Sequence, residues 1–175
     1  MFSDPRPTEH VVVPAGARAV FAGAPSFVDP AAERQRPRVV VPPESVIPPL
    51  ANGERDVWLI EWQVVEDAFD VSVDEHVEWD IVDADPSHGV HFGGRRTVSE
   101  ERNTYLEDLG AGVERPIAGT VARIDQVSVR YAPSANGSGQ EPIPGSAMQH
   151  AARALAPRIP HEGTIIGWVV RIRVD

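Results

Sequence analysis

The chain contains no cysteine, so disulfides, thiolate metal sites and a cysteine nucleophile are all excluded. Lysine is missing too. All sixteen basic residues are arginine, set against twenty-six acidic ones, for a net charge of −10. That surplus disfavours nucleic acid as a partner, because phosphate binding draws on an excess of basic side chains. It suits solubility, or attraction to a basic protein. Long apolar runs are also wanting. The stretch Val11 to Ala24 is broken by Pro14 and Arg18, and the nearby Arg6 is offset by Asp4 and Glu9. No transmembrane span and no secretory leader are expected, and the expected location is cytoplasmic.

Turn formers are plentiful: seventeen prolines and fourteen glycines point to short strands joined by many turns rather than to a helical bundle. Ten of the prolines fall in residues 1–54, where Val11-Val12-Val13 and Val39-Val40-Val41 each run straight into proline. Proline cannot donate to a ladder, so residues 1–54 read as an extended or partly disordered arm. Residues 55–175 read as a single β-rich domain.

Within that domain Val57 to Val65 has the composition of a strand, with Trp58, Ile60, Trp62 and Val64 on one face. Val77, Trp79 and Ile81 alternate with Glu78 and Asp80, the mark of a half-buried strand. Ile117 to Tyr131 reads as a long strand or a bent pair, with a bulge near Ile124-Asp125 to reconcile Ile124 with the inner face. Thr164 to Val174 closes the chain, with Ile166, Trp168, Val170, Ile172 and Val174 inward and Arg171 and Arg173 outward. Two short helices are expected, one from Ser99 towards Gly110 and one from Ser146 to Ala156. The fold class is therefore mostly β: a small antiparallel β-barrel or rolled sheet with one or two short helices.

Two patterns, Trp58-x-x-x-Trp62-Gln63 with Phe69-x-Val71-x-Val73-Asp74-x-x-Val77-x-Trp79, and the closing Gly167-Trp168-Val169-Val170-Arg171, carry a resemblance. They resemble a family of small actinobacterial proteins of unknown function. In that family a cysteine-containing turn follows the second tryptophan, where this chain has Val64-Val65-Glu66-Asp67-Ala68. The resemblance implies a β-rich single domain and carries no activity.

Three features bear on chemistry. The loop Asp83-Ala-Asp85-Pro-Ser-His88-Gly-Val-His91 sets two carboxylates beside two imidazoles, a donor set for a divalent metal, or else a polar turn. Residues 61–85 carry ten carboxylates and no arginine, while arginines gather at 95, 96 and 102 and at 171 and 173. Glu78 and Asp80, with Asp74 and Glu75 at the adjoining turn, form either a docking face for a basic protein or a solvated face balanced by neighbouring arginines. The tryptophans read as core rather than as a stacking platform. No Gly-x-Ser-x-Gly elbow and no phosphate-cradling glycine loop is present. The leading expectation is a non-enzymatic binding or accessory protein. A metal-binding protein or metal-dependent enzyme, and a nucleic-acid-binding barrel, stand as alternatives; no cofactor is identified.

Overall fold

The structure, a computed structural model, describes residues 40–104, 113–135, 137 and 139–175. The Val11 run, the rest of residues 1–39 and the 105–112 part of the expected Ser99–Gly110 helix lie outside the described residues.

The elements follow in the order β1 (Glu54–Ile60), α1 (Glu61–Glu66), β2 (His76–Asp83), a 3-10 helix (Pro86–Phe92), β3 (Glu100–Glu101), β4 (Arg115–Val129), β5 (Tyr131–Pro133), β6 (Gln140–Pro142), β7 (Met148–Ala152) and β8 (Thr164–Val174). The main sheet runs β2-β3-β1-β8-β4-β7, and a further β2–β4 pairing bends it into a ring. The protein is mostly β, a rolled sheet in which, among the described residues, only β1 and β3 pair in parallel. A separate β5–β6 hairpin stands beside it.

β4 makes the roll possible. Its fifteen residues pair with β2 through the first part and with β7 through the last, while β8 lines most of its other edge. The bulge sits at Ala122, where pairing jumps from Val121 to Arg123, and puts both Val121 and Ile124 on the inner face. Gly119 lies where β4 meets β8: a Cβ there would stand 2.2 Å from the Arg173 carbonyl oxygen.

Inside the ring, Leu59, Trp79, Ile81, Ile117, Trp168, Val170 and Ile172 form the principal core. A second cluster of Trp58, Phe92, Val127 and Val169 packs on the outer face. The alternation expected of β8 holds for Trp168, Val170 and Ile172, whereas a second bulge turns Ile166 to the outer cluster.

Three sequence-based expectations are corrected. The Val57–Val65 strand stops at Ile60, and α1 takes over; its helical turn buries Gln63 and Val64 and leaves Trp62 47% exposed. Trp62 is thus not core, unlike Trp58, Trp79 and Trp168. Residues 148–152 are strand β7 rather than helix, with Gln149 and His150 buried. Glu100 and Glu101 form the short, buried strand β3 rather than a first helical turn.

Arg171 does not reach solvent either. It is buried against Asp56 on the neighbouring strand, with Nε and Nη2 donating to the two carboxylate oxygens at 2.8 and 3.1 Å. Arg96 donates from Nη1 to Asp56 at 3.2 Å and from Nη2 to Asp125 at 2.5 Å. Arg123 completes the row on Asp125 through Nε at 2.9 Å. Hydrogen bonds to Asp56, ahead of the field of that and other carboxylates, raise the Arg171 pKa further and keep it charged.

Residues 40–54 belong to the same compact unit, which spans Val39–Asp175. Arg171 Nη1 donates to the carbonyls of Pro48 and Pro49, Arg123 Nη2 to that of Val46, and Ser45 N to that of Gln149. This proline-rich strap has few donors of its own, and the sheet's arginines supply them.

Trp168 is 2% exposed at the middle of the inner face. Trp168→Ala is expected to cost about 3–5 kcal/mol, the usual result of emptying an aromatic site in a packed core. Urea denaturation checks this, and an unchanged midpoint would refute the packing.

Candidate functional site

The outer cluster is covered by the segment from Asp85 to Val98, and local chemistry dictates how that segment begins and ends. Asp85 accepts the Ser87 amide at 2.8 Å, Pro86 supplies the fixed φ of a first helical residue, and Gly93 stops the turn at a left-handed φ of 58°. The Ser87 amide, then the Ser87 side chain, hold the Asp85 carboxyl below its ordinary value. The turn seats Phe92 edge-on against Trp58 at 5.3 Å between ring centroids. It also brings His88 within 6.3 Å of Trp58 and 6.0 Å of His91.

Between this turn, the end of β1, the start of α1 and the start of β8 lies a pocket of about 270 Å³. Trp58, Trp62 and Tyr131 give it aromatic walls, Ile60, Ile165 and Ile166 aliphatic ones, and His88, His91 and Glu61 its polar groups. The volume is just below the range for ligand sites, which runs from about 300 to 1,000 Å³. Gly167 lets the wall close: a Cβ there would fall 2.1 Å from the Leu59 carbonyl oxygen and 2.6 Å from the Trp58 ring.

A chain of side chains stands behind His88. Gln63 Nε2 donates to Asn103 at 2.8 Å, and Asn103 Nδ2 donates to Glu101 Oε1 at 3.2 Å. The other oxygen, Glu101 Oε2, lies 3.1 Å from His88 Nδ1, close but out of line for a formed hydrogen bond. Two lone pairs do not tolerate that separation, so the proton sits on Nδ1 and the opposite nitrogen, Nε2, is the ring's working atom in the neutral form. Burial, and secondarily the charge of His88, lowers the pKa of His91 and favours its neutral form.

The four metal candidates do not act as one group. Asp83 is exposed and paired with Arg115 Nη1 at 2.9 Å, and Asp85 is committed to its cap. His88 and His91 enter the pocket wall. Among the described residues no three histidine, aspartate or glutamate side chains converge as a ligand set.

The acidic candidates also divide. Asp74, in a left-handed turn, lies 3.4 Å from Arg153, and Glu75 accepts the Ser72 amide. Glu78 and Asp80 are exposed on alternate positions of β2 and make no hydrogen bond or ion pair among the described residues. Arginines from distant segments meet others of the acidic run: Arg158 at Glu61, Arg102 at Asp67, Arg153 at Asp74 and Arg115 at Asp83.

Sequence reasoning found His88 and His91 but missed Glu101, Trp62 and Tyr131 as their company. Trp62 reads as core rather than as a stacking platform, and the Ser99-Glu100-Glu101 triplet as a helix start. The signal that separates the two glutamates is their placement on a two-residue strand, where one turns to Arg55 and the other to His88.

The His91 environment sets a pH dependence. Its pKa in the folded protein lies below the value of about 6.5 it has in an unfolded chain, so between the two the unfolded state binds more protons. Stability therefore falls as pH drops below about 6.5. Thermal unfolding from pH 7.5 to 5 is expected to show this decline, shallower in His91→Gln; parallel profiles would contradict it.

Compared with protein-family models, curated proteins and solved structures, the chain matches none.

Proposed function

We propose that the protein is a binding protein whose working site is the pocket between Trp58, Trp62 and the histidine turn, and that its occupant is a small organic molecule. One observation carries this reading. Of nine buried side-chain polar atoms without a hydrogen-bond partner among the described residues, three belong to residues of the pocket wall, Trp58 Nε1, His88 Nδ1 and His91 Nδ1, the second of them turned to Glu101 Oε2 behind it. An unpaired buried polar group costs about 1–3 kcal/mol, so their gathering around one apolar-walled cavity is what a ligand with matching polar groups would offset. A larger depression of about 440 Å³ lies by the strap, but the arginines and aspartate at its wall are already joined to one another or to the strap.

A second reading rests on Glu78 and Asp80, whose exposed carboxylates form no ion pair among the described residues, although Arg102 is within electrostatic reach of Asp80: a cytoplasmic accessory role in which this strand docks a basic protein. Such a surface acts mainly on association rate and fades as salt shortens the screening length to about 8 Å.

Indole resonances test both readings in one sample, because the four tryptophans have different surroundings. Titration with a panel of small aromatic fragments is expected to shift the Trp58 and Trp62 Nε1–H signals saturably, leaving Trp79 and Trp168 in place. No response at any concentration, or an equal response of all four, would sink the pocket reading. An arginine-rich peptide that leaves the Val77–Ile81 amides unmoved at low salt would sink the second.

A further inference from the structure

Granted that the pocket is a binding site, we propose that its ligand is an arylalkyl ammonium ion, held by its positive charge as well as by its ring. Four observations converge on this class. The walls are aromatic, with Trp58, Trp62 and Tyr131 all contributing, and aromatic faces attract cations by about 0.5–2 kcal/mol each, more as water is excluded. The same walls, with Ile60 and Ile166, match a flat apolar body.

The charges nearby have one sign to spare. Glu61 lies in the wall, and Glu101 stands behind His88 with Oε2 lacking an aligned donor. Arg158 reaches Glu61 at 2.5 Å from a largely open position, whereas Glu101 is 7% exposed and, among the described residues, has only the Asn103 amide as a formed side-chain partner. Among the described residues no arginine lines the pocket.

The imidazoles present acceptors. With its Nδ1 proton turned to Glu101, neutral His88 offers a lone pair at Nε2, which accepts from an N–H donor. His91, kept neutral by burial, adds no opposing charge. A carboxylate ligand would meet Glu61 in the wall and feel Glu101 through His88, and the net charge of −10 on the chain would oppose its approach. Phosphate esters fail on the same grounds.

Three probes of one shape separate the possibilities: phenethylamine, phenethyl alcohol and phenylacetate, titrated calorimetrically into the full chain at pH 7.5. Phenethylamine is expected to bind about tenfold more tightly than either of the others, the difference a single cation–aromatic contact supplies. In Glu101→Gln the amine is expected to lose severalfold in affinity while the alcohol is unchanged. Glu61→Gln, at the pocket wall, serves the same purpose should Glu101→Gln not fold.

Equal binding of amine and alcohol would overturn the proposed charge and leave the pocket reading standing. Tighter binding of phenylacetate would overturn it in the opposite sense. Equal losses of amine and alcohol in both variants would show that the carboxylates only shape the wall. No binding of any of the three would remove this ligand class, while other fragments that still shift the Trp58 and Trp62 signals would preserve the pocket.

Discussion

The row of charges Arg171–Asp56–Arg96–Asp125–Arg123 is the contact on which the outer half of this structure depends. It crosses β1, β8 and β4 on the face opposite the main core, and every member except Arg123 is nearly inaccessible. Charges in such a place are favourable only when fully paired, and removing one partner typically costs about 3–5 kcal/mol. The pairing here is mutual: each aspartate takes two arginines, and Arg171 and Arg123 also donate to strap carbonyls, while Arg96 Nε is left without an acceptor among the described residues. Arg96 alone comes from outside the sheet. It is therefore the pin that fastens the covering segment to the strands beneath.

Fastening that segment is what creates the pocket. Arg95, the neighbour of the pin, donates to the Ala147 carbonyl and meets Glu44 at 3.0 Å, so the tandem arginines fix the chain between β7, the strap and the outer face. Upstream, the same segment lays Phe92 on Trp58 and presents His88 and His91 to the cavity. From the other side α1 supplies Trp62 to the wall and Gln63 to the relay that ends at Glu101 and His88. A site of this kind combines a rigid floor, the strands, with a short turn whose position is set by electrostatics rather than by apolar burial.

Local pattern revealed the inner half of this arrangement. Val77, Trp79 and Ile81, and Trp168, Val170 and Ile172, announce their faces by simple alternation, and the structure buries all six. The outer half is written in contacts between residues far apart in the chain. Glu61-Trp62-Gln63-Val64-Val65 satisfies a strand pattern as well as a helical one, and only packing of Gln63 and Val64 decides for the helix. Residues 148–152 resemble a helix by composition, yet Gln149 and His150 are buried because the strap and the covering segment supply partners: Pro42 carbonyl for His150, Phe92 carbonyl for Gln149. Arg171 looks like a solvent-facing residue until Asp56, more than a hundred residues earlier, is placed beside it. The histidine turn was legible from Asp-Pro-Ser and Gly-Gly, but its partner Glu101 comes from a two-residue strand too short to leave a pattern.

Hydrogen exchange resolved by residue tests the pinning of the covering segment most directly, with the native protein and Arg96→Met compared. The amides of Arg95, which donates to Phe92 O, and of Ala84, which donates to Ser99 O, report on the segment, and the Val169–Ile172 amides report on the sheet. In the native protein the two groups are expected to open with comparable free energies. In Arg96→Met the segment should lose protection by one to two orders of magnitude, about 1.4 kcal/mol for each tenfold, while the sheet keeps most of its own. Equal loss in both groups, or none in either, would contradict the account: the segment would then be held by Phe92 and the apolar contacts alone.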